Sequence, residues 1–203
     1  SDFRKWSTDR TLVHYRDIRP WCELILSQQS PITLSGSNNG VSFLFPMEVL
    51  FERYVAAKLK RQLEKPLRIT EQAQNKSLTT HKDQNWFRLR PDIVVYNDKK
   101  IVSVMDTKWK LLDASKGNGT KKYGLSQSDF YQMFAYGQKY LNGEGSLVLI
   151  YPKTEKFDKP IEDKFIFSED GEGLNLFVLP FDVSDSCEDA ERLLHDGILA
   201  DYF

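Results

Sequence analysis

The stretch FRLRPDIVVYNDKKIVSVMDTKWK, Phe87–Lys110, decides how this chain is read. It holds two runs rich in β-branched and aromatic residues, Phe87–Tyr96 and Ile101–Lys108. Asn97-Asp98-Lys99-Lys100 joins them, with a composition that suits a compact hairpin turn. Each run carries an acid among apolar residues. Asp92 lies between Pro91 and Ile93-Val94-Val95, and Asp106 follows Val102-Ser103-Val104-Met105. A carboxylate buried in a strand is costly unless a positive group or hydrogen bonds compensate it. Side chains alternate along a strand, so Asp106 and Lys108 share one face while Thr107 takes the other. Paired as a hairpin, the strands bring two carboxylates and one ammonium to the end of one sheet. Carboxylate oxygens with a backbone carbonyl and waters are a ligand set that Mg²⁺ prefers. The lysine can orient or help deprotonate an attacking water and offset charge on a phosphate. Taken singly, Asp92 also reads as a strand-edge acid paired with Arg88 or Arg90, and Asp106-Thr107-Lys108 as a surface ion pair. Together they favour a metal-dependent site.

The flanking segments supply further candidates. Upstream, Pro46 opens PMEVLFERYVAAKLKRQLEK, in which Met47, Leu50, Phe51, Tyr54, Val55 and Leu59 form a stripe at helical spacing, and Pro66 ends it. Glu48 and Glu52 lie four apart on one flank of that helix. Either can add an acid to the site. Glu52 is the better candidate, since a first-turn Glu48 is also explained by the helix dipole. Downstream, a helix is expected from about Ser126 to Leu141, capped by Ser126 or Ser128. On it Gln132 can hydrogen-bond a phosphate or a water on the metal, and Tyr136, one turn later, can brace it.

The remaining pattern sets the fold class. Leu67–Ala73 alternates as a strand, Asn75–Asn85 reads as a polar loop, and Ser146–Tyr151 (SLVLIY) as a strand buried on both faces. Lys164–Phe167 and Leu174–Phe181 are further strands. Tyr15–Gln28 is a helical candidate with an apolar face, a terminal amphipathic helix is expected from about Cys187 to Leu199, and Ser30–Gly40 reads as a loop or short hairpin. The order α-β-β-β-α-β points to an α/β fold, one central mixed β-sheet flanked by helices. Residues 1–40 are expected to form a helical lead-in and residues 41–203 one compact domain.

Composition narrows the function classes. Among 203 residues, 40% are apolar and 13% aromatic, enough for a sizeable core, which excludes a disordered tail, a collagen-like fibre and a disulfide-stapled miniprotein. No apolar run approaches the roughly 20 residues of a membrane helix. Cys22 and Cys187 lack a CxxC, and with His14, His81 and His195 scattered they compose no zinc site. Two free thiols and no basic-then-apolar leader point to the cytoplasm. The net charge of −1 argues against nucleic acid only until it is divided. Residues 51–110 carry 14 Lys and Arg against 7 Asp and Glu, whereas residues 151–203 carry 5 against 14. The basic half holds both motif strands, and the basic segment Lys116–Gly124 follows it. Arg88, Arg90, Lys110, Lys116, Lys121 and Lys122 are therefore candidates to face phosphate.

Over FLFPMEVLFERYVA, LRPDIVV, MDTKWK, SQSDFYQMFAYGQKYL and SLVLIYP, about residues 40–152, the chain resembles the PD-(D/E)xK nuclease superfamily. Within it, the chain looks like the nuclease region of McrC-type subunits of the modified-cytosine-dependent McrBC restriction systems. The resemblance implies a restriction-endonuclease-like core and a Mg²⁺-dependent endonuclease (Mn²⁺ can substitute) that cuts double-stranded DNA. It implies metal-binding acids at Asp92 and Asp106, a catalytic Lys108, a helix acid at Glu52, and a Gln-xxx-Tyr element at Gln132 and Tyr136. The implied partner is a hexameric GTP-hydrolysing McrB motor that carries modified-base recognition. Dimerisation of the nuclease on the two DNA strands is a further expectation, and a membrane is not. The family typically has a further amino-terminal region that docks on the motor, whereas about forty residues precede the core here. Where that region is removed or lies on another chain, this chain alone is expected not to stimulate GTP hydrolysis. It has no GxxxxGK[ST] loop of its own. Two other readings share these residues: a catalytically silent docking or DNA-binding module, and another PD-(D/E)xK enzyme such as an exonuclease or RNA nuclease. Substrate choice among them would lie in loops such as Asn75–Asn85 and Lys116–Gly124.

Overall fold

The structure, a computed structural model, describes residues 46–63, 65–168 and 173–184. The expected lead-in of residues 1–40, the Cys187–Leu199 helix, and Cys22, Cys187, His14 and His195 lie outside the described residues. Pro46 stands at the N-cap of helix α1, Met47–Gln62, where its fixed φ suits a helix start. α1 buries Phe51, Val55, Ala56 and Leu59. Met47 and Leu50, expected in that stripe, are exposed instead. Each i,i+4 step advances about 40° around a helix, so an arc centred on Val55 and Leu59 leaves both outside it.

After α1 come strands β1 Leu67–Glu71, β2 Ser77–His81, β3 Gln84–Arg88, β4 Ile93–Asn97 and β5 Lys100–Thr107. Helix α2, Gln127–Tyr140, leads to β6 Gly145–Pro152, β7 Phe165–Ile166 and β8 Leu174–Phe181. Six strands make one sheet in the order β1-β4-β5-β6-β8-β7. β5, β6 and β8 run parallel and the outer pairings are antiparallel. This is the expected mixed sheet with helices on its faces. Ile93, Val95, Val102, Met105, Val148 and Ile150 pack with α1, while Val94, Val104, Leu147 and Leu149 pack with Met133, Tyr136 and Tyr140 of α2. Both faces of the central strands are thus covered, as the unbroken apolar run of β6 requires. In β5, Ile101 pairs with Tyr96 and Ser103 with Val95, so Val102 is an extra residue, a bulge.

Two expectations are corrected. Asn75–Asn85 is not a loop: β2 and β3 form a separate antiparallel ribbon. Its turn is Lys82-Asp83, both at positive φ (47° and 59°), the backbone a two-residue hairpin needs, but without the Asn-Gly or Asp-Gly that usually reveals it. Phe87–Tyr96 is not one strand either. It breaks over Leu89–Asp92, because Pro91 offers no N–H to a ladder, so Asp92 stands just before β4 rather than within it. The basic segment Lys116–Gly124 is folded around two 3₁₀ turns, Ala114–Lys116 and Lys122–Gly124, with Asp113 N–H donating to the Tyr123 carbonyl at 3.1 Å.

α2 starts at Ser126, whose hydroxyl pairs with that of Ser128 at 2.6 Å and not with a helix N–H. It lies so close to β8 that a Cβ on Gly137 would fall 2.4 Å from Leu174 Cδ1 and 2.7 Å from Cδ2. Leu174 is itself buried in the core and has no room to swing aside. We expect Gly137→Ala to lower stability by about 1–2 kcal/mol, because overpacking outweighs the better helix propensity of alanine; thermal unfolding measures it, and a raised midpoint would contradict this packing.

Candidate active site

β4 runs antiparallel to β5 with Ile93 opposite Met105, so Asp92 and Asp106 meet one step further along, at the end of the sheet. Asp92 is held by the residue between the strand acid and the lysine. Its Oδ2 accepts the Thr107 N–H and the Thr107 hydroxyl, both at 2.7 Å. Thr107 does face away from Asp106, as alternation requires, and it uses that position to anchor the other acid. Trp109 points toward α1, its ring 5.4 Å from that of Phe51. Lys108 and Lys110 on either side turn toward α2.

Asp106 is only 2% exposed. Burial, followed by repulsion from Asp92, pushes its carboxyl up to about 7, against the opposing pull of Lys108. Lys108 Nζ sits 2.5 Å from Asp106 Oδ2. The contact is a close ion pair, and it is the chief opposition to the rise of the Asp106 carboxyl. Nζ also donates to Gln132 Oε1 at 2.9 Å, Gln132 Nε2 donates to the Tyr136 hydroxyl at 2.8 Å, and Tyr136 donates to the Arg90 carbonyl at 2.9 Å. The chain of donors fixes the amide. Tyr136 spends its one proton on a carbonyl that can only accept, so it must accept from Nε2, and Oε1 is left for the lysine. Burial and the nearby Asp106 raise the Tyr136 hydroxyl well above its ordinary range, so it stays protonated.

Of the two helix acids, Glu52 is the one brought to the site. Its Oε1 accepts from Gln72 Nε2 at 2.7 Å. Burial first, then Asp92, raises its carboxyl, against the opposing pull of Gln72, Arg90 and Arg53. Glu48 is exposed in the first turn of α1. Asp92 is therefore the acid that feels both Glu52 and Asp106. Among the described residues no three His, Cys, Asp or Glu side chains gather into a complete metal cage. Mg²⁺ needs less, binding through one or two carboxylates with waters and substrate phosphates. Asp92 and Asp106 could supply that number, and a divalent cation between them would relieve their mutual repulsion.

Some features escaped sequence reading. Asp129, 6% exposed in the first turn of α2, receives Lys110 at 3.1 Å and the Tyr151 hydroxyl at 3.3 Å, and lies 4.0 Å from Lys108. Its i,i+3 spacing to Gln132 was the available signal. Of the phosphate-facing candidates, Lys110 is engaged by Asp129 and Lys116 by Asp113 at 2.9 Å. Arg90 donates to Gln72 Oε1. Arg88, Lys121 and Lys122 are exposed.

The sequence profile of the McrBC 5-methylcytosine restriction system component family matches residues 1–152, a span that includes every residue of this site. The chain belongs to that family. No curated protein matches it significantly. Among solved structures, it resembles a chain from the refined half-complex of a tetradecameric assembly of Thermococcus gammatolerans McrB AAA+ hexamers with bound McrC. The two share 17% identity and a TM-score of 0.60, over 96% of this chain and 41% of that one. This McrBC-family chain thus spans less than half of that relative's length, and the likeness is one of fold. The family read from the DTKW and DFYQMFAYG blocks is borne out.

The buried acid of this McrBC-family chain has a measurable cost. Its folded pKa lies above the unfolded 3.8, so the folded state favours the protonated form. That contribution to stability is complete below pH 3.8 and is lost as pH rises through about 7. Without divalent cations, Asp106→Asn should raise the unfolding midpoint at pH 8 by about 5 °C and change it little near pH 4. A midpoint lowered equally at both pH values would show that the carboxylate is not strained.

Proposed function

We propose that this McrBC-family chain is the nuclease part of a McrC-type subunit, a Mg²⁺-dependent endonuclease of double-stranded DNA. The observation that carries this reading is Asp106, buried at the end of β5 beside Asp92, with Lys108 aimed at it and held from behind by Gln132. Asp92 and Asp106 would hold the cation, with Glu52 the third acid at its edge. Bound there, Mg²⁺ supplies Lewis-acid polarisation of a phosphoryl oxygen and acidifies a nearby water.

The chain's own residues do the rest. Thr107 keeps Asp92 in one orientation. Asp106, with a carboxyl near 7, gives up its proton readily when positive charge arrives. Lys108, restrained by Gln132 and drawn by Asp129, faces the charge that develops on the phosphoryl oxygens, a preorganised electrostatic contribution. Tyr136 prevents the Gln132 amide from flipping and so keeps Lys108 aimed.

The fold neighbour contains McrB AAA+ hexamers with bound McrC. We accordingly assign this chain a hexameric McrB-like GTPase as partner, DNA bearing modified cytosine as substrate, and a cytoplasmic setting. Arg88, Lys121 and Lys122, which are exposed, would serve the DNA backbone.

With the motor subunit and Mg²⁺ present, Asp106→Ala and Lys108→Ala should each lower DNA cleavage by about 10³-fold or more while the protein remains folded by circular dichroism. Glu52→Gln should impair cleavage and Glu48→Gln should not. Undiminished cutting by the Asp106→Ala protein would overturn the assignment.

A further inference from the structure

The ribbon of β2 and β3 stands apart from the six-stranded sheet, and nearly every side chain on it is exposed. Such a ribbon would normally be polar, yet it presents Leu78, Trp86 and Phe87 to solvent, the last 68% exposed. Within one antiparallel face, Trp86 pairs with Thr79, and His81 and Arg88 lie on the same side. The His81 ring packs edge-on against Trp86 at 5.5 Å. Phe87 should point to the opposite face. It does not, because its φ is +55°, a conformation unfavourable for a bulky residue. That twist brings its ring to 6.1 Å from Trp86, so three rings form one continuous exposed patch.

The ribbon itself carries positive charge at Lys82 and Arg88, while Lys76 donates to the Lys139 carbonyl and Arg90 to Gln72. Residues 76–90 carry Lys76, Lys82, Arg88 and Arg90 against Asp83 alone. The ribbon also leads straight to the site. Arg88 is four residues from Asp92, at most about 14 Å of extended chain, and the intervening Arg90 carbonyl is held by Tyr136.

We propose that this ribbon is a DNA-binding arm that lies in a groove of duplex DNA beside the scissile phosphate. The assignment rests on the nuclease reading above. A two-stranded ribbon has the dimensions the major groove admits. Aromatic rings on a ribbon that also bears Lys82 and Arg88 fit the sugars and base edges of a groove within its phosphate frame, where a protein partner of matching apolar surface would not call for the cations. Trp86 and Phe87 press on the bases or sugars, and Arg88 and Lys82 meet the phosphates on either side.

Fluorescence anisotropy of a fluorescein-labelled duplex, with the whole chain and Ca²⁺ in place of Mg²⁺, tests this. The double variant Trp86→Ala, Phe87→Ala should bind about ten-fold more weakly or worse, with the salt dependence of binding unchanged. Arg88→Gln should instead reduce the slope of log affinity against log salt by about one. In a second measurement, duplex should quench the tryptophan fluorescence of the wild type, and Trp86→Phe should lose that quenching; this holds even where the double variant is poorly folded. Wild-type affinity in the double variant together with unchanged quenching in Trp86→Phe would overturn the ribbon assignment alone. Failure of the wild type to bind duplex would overturn the nuclease reading with it. Loss of self-association by sedimentation in the double variant, with DNA binding intact, would make the patch a contact between copies and overturn the proposal as well.

Discussion

A carboxylate buried at the end of a central strand has to be answered by its surroundings, and Asp106 organises this protein in that sense. It sits where β5 leaves the core, with β4 and β6 on either side and helices over both faces. Burial and the neighbouring Asp92 both oppose its ionisation, and a single lysine opposes them. Lys108 cannot do so as a free, flexible side chain; its geometry is set by Gln132, then Tyr136, then a backbone carbonyl. The bulge at Val102 and the tight Asp98-Lys99 turn fix the register that brings Asp92 alongside. Fold and site are therefore specified by the same few strand pairings.

Most of that frame was legible because it is periodic. β4, β5, β6 and β8 announce themselves by apolar runs, and α1 and α2 by stripes at helical spacing. The hairpin between β4 and β5 was readable because four polar residues separate two apolar runs, and it carried Asp92, Asp106 and Lys108 to one place. The β2–β3 ribbon was not readable. It is exposed on both faces, so it lacks the alternation a half-buried strand shows, and its Lys82-Asp83 turn adopts positive φ without glycine. Asp129 was hidden for a different reason: an acid in the first turn of a helix needs no explanation beyond the dipole. Only tertiary structure shows it buried beneath two lysines and a tyrosine.

The choice between Glu48 and Glu52 marks the limit of spacing alone. Both lie on the same flank of α1, and helical periodicity treats them alike. What separates them is Gln72, just past the end of β1, which reaches Glu52 with one end of its amide and Arg90 with the other. The same amide therefore spans an acid and a cation, and Gln72 N–H also holds the Asp92 carbonyl at 2.8 Å. A residue with no expected role ties α1 to the segment that carries Asp92.

The Tyr136 hydroxyl has a mechanical consequence. It joins α2 to Arg90, two residues before Asp92 and two after the end of the ribbon. The base of the ribbon is held there and by the Leu89 N–H, which donates to the Lys76 carbonyl at 2.9 Å. A load on its tip that reached Arg90 would strain the Tyr136 bond and, through it, the Gln132 amide that aims Lys108.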